Sequence, residues 1–400
     1  MAVAAAIKKN AAVIAQRSGC SIKVKYGCDV RPVKAACPVV RNPYKIINDP
    51  EISVVVEAIG GVNPAKKLVL AALAAGKHVV TSNKELIALH MEELVESARK
   101  NEVSILFEGA VGGGIPVLAA IRDNLGANDL SEVYGIVNGT TNYILSKMTQ
   151  EGKQFSEVLK EAQRLGFAEA NSKMDIEGYD ASYKAAILAA VAFGANIKWS
   201  GVYREGIEKI AAEDIIYANE IGYVIKLLAI AKKGKEGLEV RVHPALVAKS
   251  HPLANISDNF NAIYIKGYPV GELMFYGPGA GGDPTASAVI SDIINLASSN
   301  FEPRTLNLSN SKIKSIDEIE SRYYIRLQAP DRCGVLAGIS KVFADKKVSI
   351  AAVVQKETVG NISTIVILVH KVREANLTQA LKAIQKMPIV HKISNVIRIL

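Results

Sequence analysis

Between Ser21 and about Gly126, short β-branched runs alternate with helical stretches of about 12 to 16 residues, and this alternation narrows the possible folds more than any other feature of the chain. Strands joined through helices lie parallel, with right-handed crossovers and both sheet faces covered. The spacing predicts strands at Ser21–Tyr26, Ser53–Ala58, His78–Thr81 and Val103–Phe107. Helices are expected at Ala2–Arg17, Pro64–Ala75 and Lys84–Lys100, where apolar residues recur at helical spacing. The continuous run Val54-Val55-Val56 suits a strand buried on both faces. The expected domain is a doubly wound α/β unit over residues 1–125, with 277–300 returning to it.

A second, α+β unit is expected over 126–276. Its helices are predicted at Thr140–Gln150, Phe155–Leu165 and Ile176–Phe193, and its strands at Val240–Val242, Ala262–Lys266 and Glu272–Tyr276. Pro303 and a polar run mark 301–321 as a linker. Residues 322–400 then read βαββαβ, a ferredoxin-like plan: Tyr323–Gln328, Cys333–Ala344, Val348–Val354, Ile362–His370, Leu377–Lys386 and Val390–Ile399. A module of that size is more often a binding unit than a second active site.

Composition removes several function classes. Of 400 residues 49% are hydrophobic and 22% charged, the balance of a globular chain. The longest apolar runs fall far short of the roughly 20 residues that span a bilayer, so no membrane is expected as a partner. The net charge of +9 comes from dispersed Lys and Arg without interleaved aromatics, so no nucleic-acid partner is expected either. The four cysteines, Cys20, Cys28, Cys37 and Cys333, form no CxxC pair and no metal spacing with the six histidines, which predicts a reduced, cytoplasmic chain. His243-Pro244 and His251-Pro252 read as turns. The acid-free first 28 residues are explained better by a clipped helix than by a transit peptide.

Several motifs sit where chemistry is expected. In open α/β sheets ligands bind beyond the carboxyl ends of strands, so Glu57-Ala58-Ile59-Gly60-Gly61 and Thr81-Ser82-Asn83-Lys84 face such a crevice. The bland alternatives are a turn and an ordinary helix cap by Ser82 or Asn83. Glu108-Gly109-Ala110-Val111-Gly112-Gly113-Gly114-Ile115-Pro116 is either a glycine-rich turn or a cluster of oxygens for a hard monovalent cation. Asp180 and Lys184, four apart, share a helix face, and partial burial would lower the lysine pKa toward a value useful for proton transfer. The alternative is an exposed salt bridge worth a few tenths of a kcal/mol. Gly277-Pro278-Gly279-Ala280-Gly281-Gly282 matches GxGxxG formally, but no acid-ended strand follows it, so it is not the first loop of a dinucleotide fold.

Taken in order, Thr81–Lys84, Glu108–Pro116, Gly135–Ile144, Gly166–Glu169 and Gly277–Gly281 resemble homoserine dehydrogenase over about residues 20 to 300. Residues 322–400, with Ala329-Pro330-Asp331-Arg332-Cys333-Gly334-Val335-Leu336, resemble an ACT regulatory domain. The resemblance implies a Rossmann-like cofactor domain and a substrate and dimerisation domain. It also implies reversible reduction of aspartate 4-semialdehyde to homoserine by NADPH or NADH, in the pathway to threonine and methionine. Lys184 falls at the acid/base lysine, Asp180 at its partner carboxylate, and Lys84 at a catalytic lysine by the nicotinamide. Glu169 and Asp175 fall at substrate-binding positions, and Gly60, Ser82, Lys84 and Gly281 at cofactor-binding ones. Glu108, Val111, Gly113 and Ile115 fall at a site for sodium or potassium. A homodimer and threonine as an effector at Ala329–Gly334 are expected on the same ground. Asp29 would favour NAD and Arg31 would favour NADP, which leaves the cofactor open.

The chain departs from the family at its start. Family members begin with a strand and a GxGxxG loop, whereas this sequence opens within the helix that should follow, so the dinucleotide domain is expected to be N-terminally incomplete. Losing a central strand costs on the order of 10 kcal/mol. Either the true start lies upstream, the favoured expectation, or the chain is a weakly active homologue acting as an amino-acid-binding regulator. Aspartate-semialdehyde dehydrogenase, a further rival, needs a nucleophilic cysteine, and none lies between Cys37 and Cys333.

Overall fold

The computed structural model describes residues 2–33, 35–355 and 362–400. In the N-terminal third, Val54–Glu57, His78–Thr81 and Ile105–Leu106 form a parallel sheet in that order. The helices Ala65–Ala74 and Lys84–Lys100 make the crossovers. Asn83, not Ser82, starts the second helix: its side chain accepts the Leu86 N–H. That helix buries Leu86, Ile87, Met91, Leu94, Val95 and Ala98 along one face. Each large side chain so buried contributes roughly 1.5–3 kcal/mol. Truncating Leu86 or Leu94, both fully buried, to Ala would cost on the order of 2–5 kcal/mol.

Two expectations here need correction. Residues 21–26 enter no ladder, because no described strand lies alongside to take their backbone hydrogen bonds; pairing begins only where Gly27–Cys28 meets Val39–Val40. The helix expected over 2–17 is two, Ala2–Lys9 and Ala11–Ser18, and the second closes at Gly19 with φ 68°. Both pack through Ile7 and Ile14 against Ile290 of the helix Gly282–Ser298. Val289, Ile293 and Leu296 of that helix cover Val80 and Leu106 of the parallel sheet.

Downstream, one large sheet runs through the rest of the molecule. Its long strands before the C-terminal module are Asp129–Ile136, Tyr223–Gly234, Gly237–Ala248, Phe260–Tyr268 and, at the edge, Gly271–Pro278, paired antiparallel. The first two do not announce themselves in the sequence: Tyr223–Gly234 carries an apolar run with no alternation, which reads equally as a helix. His243-Pro244 lies inside a strand rather than a turn, and Arg241 Nε donates to His243 Nε2. Pro244 falls in the gap between the two parallel partners of that strand's edge, Tyr203–Arg204 at residues 241–242 and the C-terminal strand at 245–246. His251 does cap a turn, accepting the Leu253 N–H.

The helix Tyr179–Phe193 lies under this sheet, buried almost all round through Ala181, Ala185, Ala186, Ile187, Leu188, Ala189 and Ala190. The helix expected from Ile176 starts instead at Tyr179, after Gly178 at φ 80°, and Ile176 ends a separate short helix, Lys173–Ile176.

The C-terminal module has the expected element order, from Glu320–Pro330 to Lys392–Ile399. Its own core includes Tyr323, Ile325, Leu327, Ile339, Phe343, Ile367 and Leu377. It is also sewn to the body: Ala245 and Leu246 pair with Arg398 and Ile399 in parallel, so the two sheets are continuous. Segment 301–321 lies along the body as well, with Ser309–Asn310 paired to Ala195–Asn196 and Ile313 bridged to Leu238. Among the described residues no helix is long and apolar enough to cross a membrane.

Candidate active site

The site forms where the strand Asp129–Ile136 ends and the helix Tyr179–Phe193 begins. Asn138 follows the strand and caps the helix Gly139–Glu151, with Oδ1 accepting from Thr141 N at 2.9 Å and Thr141 Oγ1 at 2.9 Å. Its amide nitrogen donates to Asp175 Oδ1 at 2.7 Å and to Asp180 Oδ2 at 2.8 Å. All four hydrogen-bonding positions of this side chain are thereby used, and two carboxylates are held together.

Lys184 is four residues along the helix from Asp180, and the expected pair is present. Its Nζ donates to Asp180 Oδ2 at 2.7 Å and to the Val137 carbonyl at 2.6 Å, with the side chain only 10% exposed. The bland surface-bridge alternative fails on that burial. Lys84, at the end of the parallel strand His78–Thr81, places Nζ 2.6 Å from the other oxygen, Asp180 Oδ1. This second contact is an ion pair whose angles fall outside hydrogen-bond geometry.

Electrostatics follow from this arrangement. Burial alone would raise the Asp180 pKa, but the ammonium groups of Lys184 and Lys84 outweigh it and hold the carboxyl well below the usual range. Burial lowers the Lys184 pKa; Asp180 opposes this and Lys84 adds to it. For half-exposed Lys84, burial pulls down, but Asp180, Asp175 and Glu169 prevail and raise it. Burial raises the Asp175 pKa despite its bond from Asn138. Glu169 is exposed at the rim, close enough for its charge to act on Lys84.

The remaining sequence candidates surround this core. Glu57 ties the strand ends together, accepting from Thr81 Oγ1 at 2.5 Å, Ile59 N at 2.6 Å and Gly60 N at 3.3 Å. Asn83 Nδ2 reaches the Gly61 carbonyl at 2.6 Å. Gly60 and Gly61 have φ 80° and 65°, and a Cβ at either would meet open space, so a ligand can approach their backbone. Ser82 abuts Gly109, where a Cβ would come within 3.0 Å of it. Gly113 packs on Gly279, where a Cβ would lie 2.6 Å from the carbonyl carbon. Gly281, at φ 123°, precedes the helix Gly282–Ser298. The loops of three strand ends and of the GxGxxG-like run therefore adjoin one another, at the carboxyl ends of the strands where residues of an open α/β sheet could hold a dinucleotide.

Glu108 is arranged differently from a free cation ligand. Its two carboxylate oxygens accept the N–H groups of Leu118 at 2.9 Å and Ala119 at 2.6 Å, and the Ile115 carbonyl accepts from Val117. This is helix capping, which the glycine-rich reading of the loop covers. Val111, Gly113 and Ile115 lie buried in the same loop. Asn138 and the Val137 carbonyl carry no assigned role in the sequence, and Glu57 appears there only as the head of a motif facing the crevice; the Asn before Gly139-Thr140-Thr141 leaves the signal of a helix cap.

Family models describe the chain in three pieces: "Homoserine dehydrogenase, NAD binding domain" over residues 3–108, "Homoserine dehydrogenase" over 116–294 and "ACT domain" over 323–388. The homoserine dehydrogenase of Neisseria gonorrhoeae is 42% identical over 413 residues, covering 99% of this chain and 94% of that protein. This chain belongs to the homoserine dehydrogenase family. The enzyme of a Synechocystis strain is 43% identical over 369 residues, covering 89% of this chain and 85% of the relative. A crystal structure of a homoserine dehydrogenase from Thiobacillus denitrificans superposes with TM-score 0.95 at 41% identity, covering 100% of this chain and 95% of that one. The S. aureus enzyme at pH 7.0 gives 0.79 at 32% identity with the same coverage. The chain is thus an NAD(P)-dependent oxidoreductase of amino-acid biosynthesis, with a cofactor domain, an α+β catalytic domain and a C-terminal ACT domain.

Proposed function

We propose that Lys184, or a water it holds, delivers the proton when aspartate 4-semialdehyde is reduced to homoserine. The observation that carries this is the buried ammonium at the crevice, with two of its three N–H donors spent on Asp180 and the Val137 carbonyl. The third is left for the oxygen that becomes an alkoxide. NAD(P)H, when bound, supplies the hydride. Burial and the nearby charge of Lys84 make Lys184 a better proton donor than a lysine in water. Asp180 keeps it protonated beforehand, and Asp175 with Glu169 receives the ammonium group of the substrate. Gly60, Ser82, Lys84 and Gly281 line the nicotinamide end. A Lys184→Ala variant at saturating cofactor, assayed below its lowered melting temperature, is expected to lose roughly 10²–10⁴ in kcat; an unchanged kcat ends the assignment.

Finer properties belong to the same proposal. We take NADPH over NADH, because the Asp29 carboxylate is engaged by Arg31 N at 2.8 Å and by Arg31 Nε at 3.5 Å, while the rest of the Arg31 guanidinium, on a side chain 81% exposed, can take a phosphate. An archaeal homoserine dehydrogenase 32% identical to this chain is described in complex with NADPH. Arg31→Ala should then lower kcat/KM for NADPH and leave that for NADH unchanged. Sodium or potassium is proposed at Glu108 with the backbone of Val111, Gly113 and Ile115, on the lone pairs that the capping N–H groups of Leu118 and Ala119 leave on the Glu108 carboxylate, outside proton and hydride transfer. Exchange of potassium for tetramethylammonium should lower the melting temperature and leave kcat at saturating substrate unaltered. Threonine is the proposed effector at the ACT loop Ala329–Gly334, where Gly334, at φ 88°, opens the helix Val335–Asp345. The protein is proposed to act as a cytoplasmic homodimer.

A further inference from the structure

The ACT module touches the catalytic body through Tyr324 and Arg326 of its first strand, both bonded to Asp214, and through its last strand, where one side chain reaches the segment that packs beside the active site. Arg398 is 7% exposed. Its Nη1 donates to Glu205 Oε2 at 2.9 Å and its Nη2 to Tyr203 Oη at 3.3 Å. Its Nε and Nη2 donate to the two oxygens of Glu374 at 2.9 and 2.5 Å. Tyr203 Oη in turn donates to Glu205 Oε2 at 3.1 Å. One guanidinium therefore joins a carboxylate of the ACT helix Glu374–Gln385 to a carboxylate of the catalytic body.

Glu205 is followed by a segment that holds the turn carrying two active-site carboxylates. The Ile207 N–H donates to the Ile176 carbonyl at 2.9 Å, and Arg204 Nε donates to the Glu177 carbonyl at 3.1 Å. The Arg204 guanidinium lies 3.4 Å from the centroid of the Tyr179 ring. Between them Gly206 approaches so closely that a Cβ there would sit 2.2 Å from the Ile176 carbonyl oxygen. Residues 176, 177 and 179 are thus each held from one strip of chain, and they lie between Asp175 and Asp180. On the other side the strip is fixed by the ladder of Tyr203–Arg204 with Arg241–Val242 and by the Glu205 N–H to the Val242 carbonyl.

We propose that Glu205 and Arg398 are positioning residues for the active-site carboxylates Asp175 and Asp180, setting the 175–180 turn from the ACT side. The inference rests on the roles given above to Asp175 and Asp180. It deepens them by naming the module contact that borders the segment holding the 175–180 turn, in distinction from the Arg326–Asp214 pair elsewhere on the same interface. Removing this contact shifts Asp175 relative to the amino end of the substrate, while the cofactor crevice, built on the other strand ends, stays as it is. Substrate affinity and cofactor affinity should therefore separate.

The test uses the full chain and four variants, Arg398→Leu, Arg398→Lys, Glu205→Ala and the double variant Arg398→Leu/Glu205→Ala. Each is assayed for KM of homoserine, KM of the oxidised cofactor and melting temperature, and by calorimetric titration with homoserine. The single variants Arg398→Leu and Glu205→Ala should raise the homoserine KM and dissociation constant about tenfold and leave the cofactor KM within twofold. The double variant should be no worse than the worse single one, because the two act through one contact. Should the alanine or leucine forms fail to fold, Arg398→Lys decides. It keeps the charge but cannot fork to both carboxylates, and a roughly threefold rise in homoserine KM is expected. Folded variants with unaltered homoserine affinity overturn the inference, as do equal losses for homoserine and cofactor or multiplicative losses in the double variant. A wild-type chain that binds no homoserine would instead overturn the active-site reading on which the inference stands.

Discussion

Lys84 and Lys184 grip opposite oxygens of a single carboxylate, Nζ to Oδ1 at 2.6 Å and Nζ to Oδ2 at 2.7 Å of Asp180. One lysine comes from the end of the parallel sheet and the other from the buried helix, so Asp180 joins the cofactor side of the site to the substrate side. Removing its charge leaves two ammonium groups facing one another with only the weaker influence of the Asp175 and Glu169 charges to offset them. In Asp180→Asn the Lys184 pKa should fall further, and the proton donor would be lost at neutral pH. A drop in kcat of about 10² is expected, with the optimum for semialdehyde reduction moved toward acid; a kcat–pH profile reads both. The sign for stability follows from the depressed pKa of Asp180. Its stabilisation is complete above the unfolded value near 3.8 and is lost as the pH falls through the lower folded value.

Asn138 should matter twice. Its amide holds Asp175 and Asp180 together, and its carbonyl oxygen caps a helix. Asn138→Ala removes the cap, worth about 1–2 kcal/mol, and lets two carboxylates relax apart. Urea denaturation should show a loss of that size, accompanied by a raised homoserine KM and an unaltered cofactor KM.

Asp292 offers a pH test away from the chemistry. It is 1% exposed on the helix Gly282–Ser298, and one oxygen accepts the Glu108 N–H at 2.8 Å. Burial pushes its pKa up to about 7, with the charge of Glu108 adding to the effect. The folded state therefore binds more protons than the unfolded state between the ordinary value, 3.8, and about pH 7, and this residue's contribution falls as the pH rises through that window. Asp292→Asn keeps an acceptor for the N–H and removes the titration. Its melting temperature should exceed that of the parent by about 2–4 °C at pH 8, and the gap should close by pH 5.

Threonine binding can be read without turnover. Calorimetric titration of the full chain should show heat that is lost in Asp331→Ala, since Asp331 lies exposed in the loop that opens the ACT helix. Heat unchanged by that substitution would place the effector elsewhere.

Much of this architecture is legible in the sequence because it depends on local pattern. The helix Lys84–Lys100 is read to the residue, since an Asn cap precedes it and its apolar face is periodic. Asp180 and Lys184 are legible as a pair because four residues is one helical turn. What escapes is set by distant chain. The strand Tyr223–Gly234 looks helical until its neighbours on both sides supply ladders. Lys84 and Asp180, 96 positions apart by their numbers, meet only in the folded chain. The continuity of the ACT sheet with the catalytic sheet rests on two paired residues, Arg398 and Ile399, whose sequence reads as an ordinary strand end.

The assignment of Lys184 as proton donor is tested most directly by chemical rescue of Lys184→Ala with small primary amines. In semialdehyde reduction at saturating cofactor, the variant rate should start at least about 100-fold below the parent. It should then climb in proportion to added methylammonium, with no such response in the parent enzyme. A variant that keeps near-parental turnover and ignores the amine would contradict the account.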